Sequence, residues 1–376
     1  MKRRTFLKTA GAGGAALLAG CGGQGGPSEP TTESAGTTAT ETTAAGTTVG
    51  DTGDRTLVVA TYSAFVDAPS TSPGAWLKEQ FESEHDATLV WQTPENEINY
   101  YIERRLQQVD VEADVYVGLD TEKLLRIDRK LDAPLFDSFE ADDLAGRGDV
   151  KEGLEFDPQG RAIPYDTGYV CLVWNENEVQ APETFDGLLD PALAGDLITQ
   201  NPTSSTTGRA FLLHTIAAKG EDGYLDYWQR LQDNDVRVLG TWSDAYNAYS
   251  NGEAPMVVSY STDQVYANRS GADMSEHQIR FLNDQGYANP EGMARFAGTD
   301  VPDLARRFVE FVLTPEVQAE IAVRNVQFPA TTTAELPGEY GEYAKEPPEP
   351  VTFTYEELKG NVSGWIDAWA QQFASK

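Results

Sequence analysis

The chain has 376 residues, of which 60 are acidic and 28 are basic, so its formal net charge at pH 7 is -32. Hydrophobic residues make up 40% of the chain and aromatic residues 10%, a composition that can form a folded core. The acidic residues are spread along the whole chain, which excludes nucleic acid and an anionic bilayer surface as partners because both would repel it. A hydrated carboxylate surface of this kind is typical of a salt-adapted protein and indicates an extreme halophile.

The first 21 residues have the pattern of an export signal. Arg3 and Arg4 precede a short apolar run, which predicts a twin-arginine signal, and residues 18–21 resemble a lipobox that ends in Cys21. The apolar run is shorter than the roughly 20 residues that a membrane-spanning helix needs. We expect lipidation of Cys21 and a protein tethered to the outer face of the cytoplasmic membrane, at the cell surface. Asn268 and Asn361 match the N-glycosylation pattern of exported chains.

Residues 22–54 contain almost no large apolar side chain and are predicted to form a flexible tether, because such a segment cannot offset its ordering entropy. The remainder is long enough for two α/β lobes. We place the first part of lobe 1 at 55–168, lobe 2 at 169–262, and the return to lobe 1 with a C-terminal helix at 263–376. Cys171 lies in an apolar run and is expected to be a buried core residue.

The first half of the folded part alternates between strands and helices. The predicted elements are strands at 56–62, 87–91 and 113–120 and helices at 73–82 and 98–106. Ile98, Ile102 and Leu106 recur at four-residue spacing and are expected on one buried face. This alternation indicates a parallel sheet, in which ligands gather at the carboxyl ends of strands. Tyr62 and Asp120 follow two such strands and are candidate binding residues.

The second half continues with strands and helices that cross between the lobes. The predicted strands are 162–174, 196–200, 236–240 and 256–262, and the predicted helices are 209–219, 302–312, 315–324 and 355–373. The loop before the first of these helices is rich in hydroxyl groups. A helix N-terminus of this kind is a ready site for an anion or a polar ligand.

Motifs for catalysis are weak. The three histidines, His85, His214 and His277, are scattered, and the sequence has no HExxH motif, Cys/His cluster or Gly-x-Ser-x-Gly elbow. Asp120 and Asp166 would serve as paired acids only if the fold brought them together, which their spacing does not determine. We therefore expect no enzymatic activity and no cofactor, and a lipid-anchored enzyme is the least favoured alternative.

Tyr100 and Tyr101 raise another alternative, because adjacent tyrosines serve as iron ligands in some exported binding proteins. Both lie on the predicted helix at 98–106, where we expect one ring to pack and the other to face out. A receptor for ferric iron or another small solute remains open as an alternative.

Aromatic and acidic side chains follow several apolar strands. The aromatic residues are Tyr62, Trp242, Tyr246, Tyr260 and Tyr266, and the acidic ones are Asp120, Asp166 and Asp263. An aromatic face attracts a cation by about 0.5–2 kcal/mol, and a carboxylate adds a charge-assisted hydrogen bond. The pattern predicts a pocket for a flat, positively charged molecule that forms hydrogen bonds.

Segments from Thr56 to the C-terminus carry a resemblance to a known family. These segments are residues 62–65, 113–120, 164–169, 204–208, 240–246, 258–262, 353–354 and 365–369. In order and spacing they resemble the thiamine-binding proteins of ABC importers. The resemblance implies a two-lobed type II periplasmic-binding-protein α/β fold with hinge-crossing strands. It also implies a monomer without a cofactor that delivers thiamine, or a thiamine phosphate, to an ABC permease and its ATPase.

The resemblance also implies roles for particular residues. A Ser-Thr pair like Ser205-Thr206 helps to hold the hydroxyethyl or phosphate end of the ligand, and Glu97 lies near an acidic position that contacts phosphate. Trp242 and residues 260–264 correspond to positions around the rings, and Tyr266 to a further aromatic contact. The complete set of predicted ligand-binding residues is Tyr62, Glu97, Asp120, Asp166, Ser205, Thr206, Trp242, Tyr260, Ser261, Thr262, Asp263, Gln264 and Tyr266.

Overall fold

The structure is a computed structural model, and it describes residues 55–67, 72–139 and 143–374. The predicted export signal at 1–21, including Cys21, and the predicted tether at 22–54 lie outside the described residues. Among the described residues, we find no helix whose length and hydropathy would let it cross a membrane.

The described residues form twelve strands and thirteen α-helices. The strands are β1 (Thr56–Ala60), β2 (Thr88–Gln92), β3 (Val115–Leu119), β4 (Phe136–Asp137), β5 (Ala162–Trp174), β6 (Leu197–Gln200), β7 (Arg237–Leu239), β8 (Met256–Tyr260), β9 (Gln278–Arg280), β10 (Gln285–Phe296), β11 (Phe328–Pro329) and β12 (Glu349–Val351). The helices are α1 (Ser63–Asp67), α2 (Gly74–Glu84), α3 (Ile98–Leu106), α4 (Thr121–Lys130), α5 (Thr206–Lys219), α6 (Tyr224–Asp233), α7 (Trp242–Ser250), α8 (Asp263–Ser270), α9 (Pro302–Val312), α10 (Pro315–Asn325), α11 (Gly338–Tyr343), α12 (Tyr355–Leu358) and α13 (Val362–Ala374).

Two long antiparallel strands join two smaller groups of parallel strands. The paired strands follow the order β2-β1-β3-β10-β5-β8-β6-β7. We call β1–β3 with α1–α4, α9 and α10 lobe 1, and β6–β8 with α5–α8 lobe 2. The strands of lobe 1 are parallel to one another, as the alternation predicted. Strands β5 and β10 connect the lobes because they pair with each other, while β5 also pairs with β8 of lobe 2 and β10 with β3 of lobe 1.

The chain stays beside lobe 2 until β10. Residue 263, the predicted start of the return to lobe 1, is the first residue of α8, and β9 then pairs with the end of β5 that also pairs with β8. The C-terminal helix α13 packs on α6, where Trp369 meets Trp228 edge to face with ring centroids 5.4 Å apart. Cys171 is buried in β5, as predicted.

Two predictions of local structure were wrong. Leu106 is 57% exposed, although Ile98 and Ile102 are buried. Each four-residue step overshoots a full helical turn by about 40°, so Leu106 has rotated away from the buried face. The predicted helix at 355–373 is two helices, α12 and α13, because Lys359 has an extended backbone and Gly360 has a φ of 83°.

Candidate functional site

A cleft of about 550 Å³ lies between lobe 2 and the C-terminal end of α10 in lobe 1. Its lining consists of Ala64, Trp242, Ser243, Tyr246, Asn247, Ser259, Tyr260, Thr262, Asp263, Tyr266, Arg324, Asn325, Val326 and Gln327. Five of the predicted ligand-binding residues are among them: Trp242, Tyr260, Thr262, Asp263 and Tyr266. The cleft therefore gathers the aromatic residues that the sequence placed at strand ends in lobe 2.

Trp242 and Tyr246 form an aromatic wall on one side of the cleft. Helix α7 begins at Trp242 because the Thr241 hydroxyl accepts a hydrogen bond from the Asp244 N–H at 3.0 Å. The four-residue spacing puts both rings on the same helix face, where they stack with centroids 4.9 Å apart and planes 23° apart. The Trp242 indole N–H donates to Ser259 Oγ at 3.1 Å. Trp242 is 38% exposed, so its ring remains accessible to a flat ligand.

Hydrogen bonds that involve Asp263 and His277 support the aromatic wall. The Tyr246 hydroxyl donates to Asp263 Oδ1 at 2.5 Å, and His277 Nδ1 donates to Asp263 Oδ2 at 2.7 Å. Burial would lower the pKa of His277, but the hydrogen bond and charge of Asp263 outweigh it and raise the pKa. Both oxygens of this predicted ligand carboxylate thus have partners within the protein. The sequence pattern did not single out His277 as a site residue.

Tyr260 ends β8 and packs closely against the crossing strand β5. A Cβ atom at Gly168 would lie 2.7 Å from Tyr260 Cδ1, so the side chain of any other residue there would displace the ring. Thr207 Oγ1 donates to the Tyr260 hydroxyl at 3.3 Å. Burial raises the pKa of Tyr260 to about 12, so its hydroxyl keeps its proton near neutral pH.

A pair of carboxylates, one buried and one half-buried, lies on the crossing strands beside the cleft. Asp166 on β5 and Glu291 on β10 face each other in the antiparallel register. Glu291 Oε2 accepts hydrogen bonds from the hydroxyl groups of Tyr165 at 2.6 Å and Tyr62 at 3.1 Å. Asn325, which lines the cleft, donates to Asp166 Oδ2 at 2.7 Å and to the Tyr62 hydroxyl at 3.3 Å. Tyr62 and Asp166, both predicted, therefore connect to the cleft through Asn325.

Burial is the main cause of unusual proton affinity in this pair. It raises the pKa of Asp166 well above its ordinary value, and the charge of Glu291 adds to the rise. Burial also raises the pKa of Glu291, against the opposing charge of Lys123. Because two adjacent carboxylates repel each other when both are ionised, the pair retains a proton more readily than exposed carboxylates do. Glu291 and Asn325 were missed because no local pattern marks which residues face Asp166.

Asp120 and Glu97 lie around Lys123, away from the cleft lining. Asp120 caps α4 by accepting the Lys123 N–H at 2.8 Å, and its carboxylate lies 3.2 Å from Lys123 Nζ. Burial opposes ionisation of Asp120, but Lys123 outweighs it and lowers the pKa of the carboxyl group. Glu97 Oε2 lies 3.8 Å from the same Nζ. The two acids thus share the single positive charge of Lys123.

The predicted serine and threonine residues divide between two places. Helix α5 begins at Thr206 rather than Arg209, because Ser205 Oγ caps it by accepting the Gly208 N–H at 3.3 Å. Thr206 and Asp120 line a separate, narrow cavity of about 40 Å³. Ser261 and Gln264 flank the cleft residues in sequence but are buried, and Ser261 Oγ has no hydrogen-bond partner among the described residues.

The other chemical candidates occupy structural positions. Burial lowers the pKa of His214 to about 4, and its ring packs against Phe185. Tyr101 is buried and donates to Gln92, whereas Tyr100 is 37% exposed, so the two rings diverge as predicted. In the part of the chain that the structure describes, no group of three or more His, Cys, Asp or Glu side chains could hold a metal ion.

A match to a known protein family identifies the class of this protein. A profile of the bacterial extracellular solute-binding proteins matches residues 76–348, more than half of the chain, so this protein belongs to that family. The predicted two-lobed periplasmic-binding-protein fold is confirmed. The family consists of solute-binding transport proteins rather than enzymes, and its members in ABC importers work with a permease and an ATPase.

Several relatives bind a named solute. The chain is 27% identical over 325 residues to the thiamine-binding periplasmic protein of Escherichia coli, covering 83% of this chain and 92% of the relative. It is similar in structure to a periplasmic thiamin binding protein, with a TM-score of 0.72, 26% identity, and coverage of 85% of this chain and 96% of the other. The ferric binding protein of Campylobacter jejuni shares the fold, with a TM-score of 0.68 at 16% identity over 84% of this chain and 99% of the other.

Proposed function

We propose that this protein captures thiamine, or one of its phosphates, outside the cell and delivers it to the permease of an ABC importer. The observation that carries the proposal is the stacked wall of Trp242 and Tyr246 in a cleft that Asn325 links to the carboxylates Asp166 and Glu291. Thiamine combines a flat pyrimidine ring with a positively charged thiazolium ring. Similarity to thiamine-binding periplasmic proteins supports the same ligand.

The proposed roles divide between the aromatic wall and the polar groups. Trp242, Tyr260 and Tyr266 present ring faces, which attract a cation and stack on a flat heterocycle. The Asp166–Glu291 pair supplies negative charge when a cation approaches, because the cation lowers the raised pKa values of these carboxyl groups and favours their ionised form.

A Ser-Thr pair is assigned to the far end of the ligand. We propose that Ser205 and Thr206, at the N-terminus of α5, receive its hydroxyethyl or phosphate group, since a helix N-terminus favours such groups. Ser261, Thr262, Asp263 and Gln264 surround the rings together with Tyr260 in this proposal, and Glu97 and Asp120 complete the proposed site.

The proposed setting is the outer face of the cytoplasmic membrane of a salt-adapted cell. We propose twin-arginine export, a lipid on Cys21 and a monomeric receptor. The net charge of -32 supports a high-salt habitat, and the signal pattern of the first 21 residues supports export and lipidation.

Calorimetry in concentrated KCl tests the ligand. We expect saturable binding heat with thiamine, thiamine monophosphate or thiamine diphosphate. Trp242→Ala should weaken binding about 10-fold, because losing one stacking face costs about 1.4 kcal/mol, within the usual range for aromatic pairs. Tyr100→Ala is the matched control, since Tyr100 is 37% exposed, against 38% for Trp242, and does not line the cleft.

Two outcomes would overturn the proposal at different levels. Absence of heat with all three compounds would remove thiamine as the ligand. Equal weakening by Trp242→Ala and Tyr100→Ala would remove the cleft as the site. A ferric-iron receptor would instead turn coloured with ferric ion and lose the colour on replacement of Tyr100 and Tyr101. The burial of Tyr101, whose hydroxyl group donates to Gln92, does not favour that function.

A further inference from the structure

His277 contacts the cleft wall from the side opposite the cleft. It is buried, and it lines a second cavity of about 430 Å³ that Tyr246 and Tyr266 separate from the cleft. Its Nδ1 lies 2.7 Å from Asp263 Oδ2 and 3.4 Å from the Tyr246 hydroxyl. A single imidazole therefore contacts both Tyr246, which stacks on Trp242, and Asp263, which accepts the Tyr246 hydroxyl.

These contacts link the orientation of His277 to that of Trp242. His277 donates a hydrogen bond to one oxygen of Asp263. The other oxygen accepts a hydrogen bond from the Tyr246 hydroxyl at 2.5 Å, and the Tyr246 ring stacks on Trp242. We propose that His277 is a positioning residue for ligand binding, acting through Asp263 and Tyr246 to set the plane of Trp242. The inference rests on the proposed function for its ligand, but the orientation of Trp242 can be measured without one.

The physical reason is the cost of a buried carboxylate with an empty hydrogen-bonding position. Asp263 is buried, so loss of the His277 N–H would leave one of its oxygens without a donor. The carboxylate would then rotate towards another donor and carry the Tyr246 hydroxyl with it. Because Trp242 stacks on Tyr246, its plane would change as well.

His277 also sets the charge of the wall. It is faced by Asp263 and Tyr266 from α8, by Tyr246 and Tyr249 from α7, by Glu178 across the second cavity, and by Asp273 and Glu276 on its own segment. When protonated, His277 neutralises Asp263; when neutral, it keeps its Nδ1–H bond and leaves the negative charge of Asp263 uncompensated. Attraction for a cation in the cleft therefore increases as the pH rises through the pKa of His277, which the acidic neighbours raise above its ordinary value.

The test compares wild type, His277→Asn and His277→Leu, with thiamine titrated calorimetrically between about pH 6 and 9. An asparagine side chain keeps an N–H donor near the position of Nδ1, but it does not titrate. We expect its affinity to match the wild type at high pH and to exceed it roughly 3- to 10-fold at low pH, where the wild type carries the imidazolium charge. His277→Leu also does not titrate but lacks the donor, so it should bind about 10-fold more weakly than His277→Asn at every pH. His85→Asn, at a histidine stacked on Phe81 in lobe 1, is the control and should match the wild type.

A ligand-free measurement decides the inference independently. The measurement is the indole resonance of Trp242 in ¹⁵N-tryptophan-labelled protein, assigned with Trp242→Phe. This resonance should shift with pH in the wild type and remain constant with pH in His277→Asn. In His277→Leu it should lie at a different chemical shift from the wild type. If the Trp242 resonance is the same in all three proteins at every pH, the inference is overturned, whether or not thiamine binds. Wild type that shows the resonance shift but binds no thiamine overturns only the proposed ligand. Equal pH profiles for wild type and His277→Asn also count against the inference.

Discussion

At the scale of single residues, Asp166 and Glu291 are expected to lower the free energy of unfolding when both are ionised. Like charges directly opposite on neighbouring antiparallel strands destabilise a sheet, and burial makes ionisation of either group more expensive. Hydrogen bonds from Tyr165, Tyr62 and Asn325 stabilise the pair without supplying a positive charge. Such an arrangement is consistent with a site that a cationic ligand completes.

Replacement of Asp166 by asparagine should separate stability from binding. Because the folded-state pKa of Asp166 is raised above its unfolded value, the folded state binds more protons, and stability is lost as the pH rises through the folded-state pKa. Asp166→Asn removes this loss, so at pH 7 we expect a higher free energy of unfolding without ligand and a flatter pH dependence. Binding of thiamine should weaken about 10-fold or more, since a charge-assisted contact is removed.

Chemical denaturation at several pH values, combined with calorimetry, checks this expectation. Asp149→Asn is the control: Asp149 lies outside the carboxylate pair, and its backbone oxygen, which the variant retains, accepts hydrogen bonds from Thr332. If Asp166→Asn is less stable than the wild type at pH 7, the prediction is contradicted, and the ionised carboxylate stabilises the unliganded fold. Unchanged affinity would remove Asp166 from the site.

At the scale of elements, short local signals decide where the site residues stand. Thr241, Ser205 and Asp120 each cap the helix that follows, so the N-termini of α7, α5 and α4 are set by the residue that precedes them. Two of these helices begin at predicted site residues, Trp242 and Thr206. Local capping thus places side chains that the tertiary fold then uses.

The break between α12 and α13 supplies a matched pair of glycine substitutions. Gly360 has a φ of 83°, where an alanine is strained, so Gly360→Ala should lower the free energy of unfolding by about 1–2 kcal/mol. Gly364 is exposed inside α13 with open space around its Cα, so Gly364→Ala should raise it by about 0.5–1 kcal/mol. Denaturant unfolding of the two variants measures both signs, and an equal effect from the two would contradict this explanation of the break.

At the scale of the whole molecule, net charge and interlobe contacts act together. The formal charge of -32 makes the folded state repel itself, and this repulsion falls as salt shortens the screening length. Between the lobes, Arg209 Nη1 on α5 lies 3.1 Å from Glu122 Oε2 on α4. Both side chains are largely buried, so salt screens this pair less than it screens the surface repulsion.

The thermal unfolding midpoint should therefore rise between about 0.1 M and 1 M KCl, over which the screening length falls from about 10 Å to 3 Å. Sorbitol at equal osmolality is the control, because it changes solvent activity without screening charge. A midpoint that stays constant in KCl, or rises equally in sorbitol, would contradict the role of self-repulsion.

Much of the architecture could be predicted because its signals are local. Apolar runs predicted β1–β3 and their parallel pairing, and Pro302–Val312 matches the predicted helix at 302–312. Aromatic residues at strand ends predicted the composition of the cleft wall. Errors occurred where a single backbone angle intervened, as at Gly360, or where a helical face drifted, as at Leu106.

The sequence by itself determined the elements, the acidic surface and the aromatic character of the cleft, since each depends on neighbouring residues or on composition. Only the tertiary structure decided what each carboxylate faces. Tyr165 and Glu291 are 126 positions apart, and Asp263 and His277 are 14 apart, yet each pair shares a hydrogen bond. Strand register and helix packing create these contacts. They place Asp166 opposite a second carboxylate and make Asp263 the support of an aromatic wall.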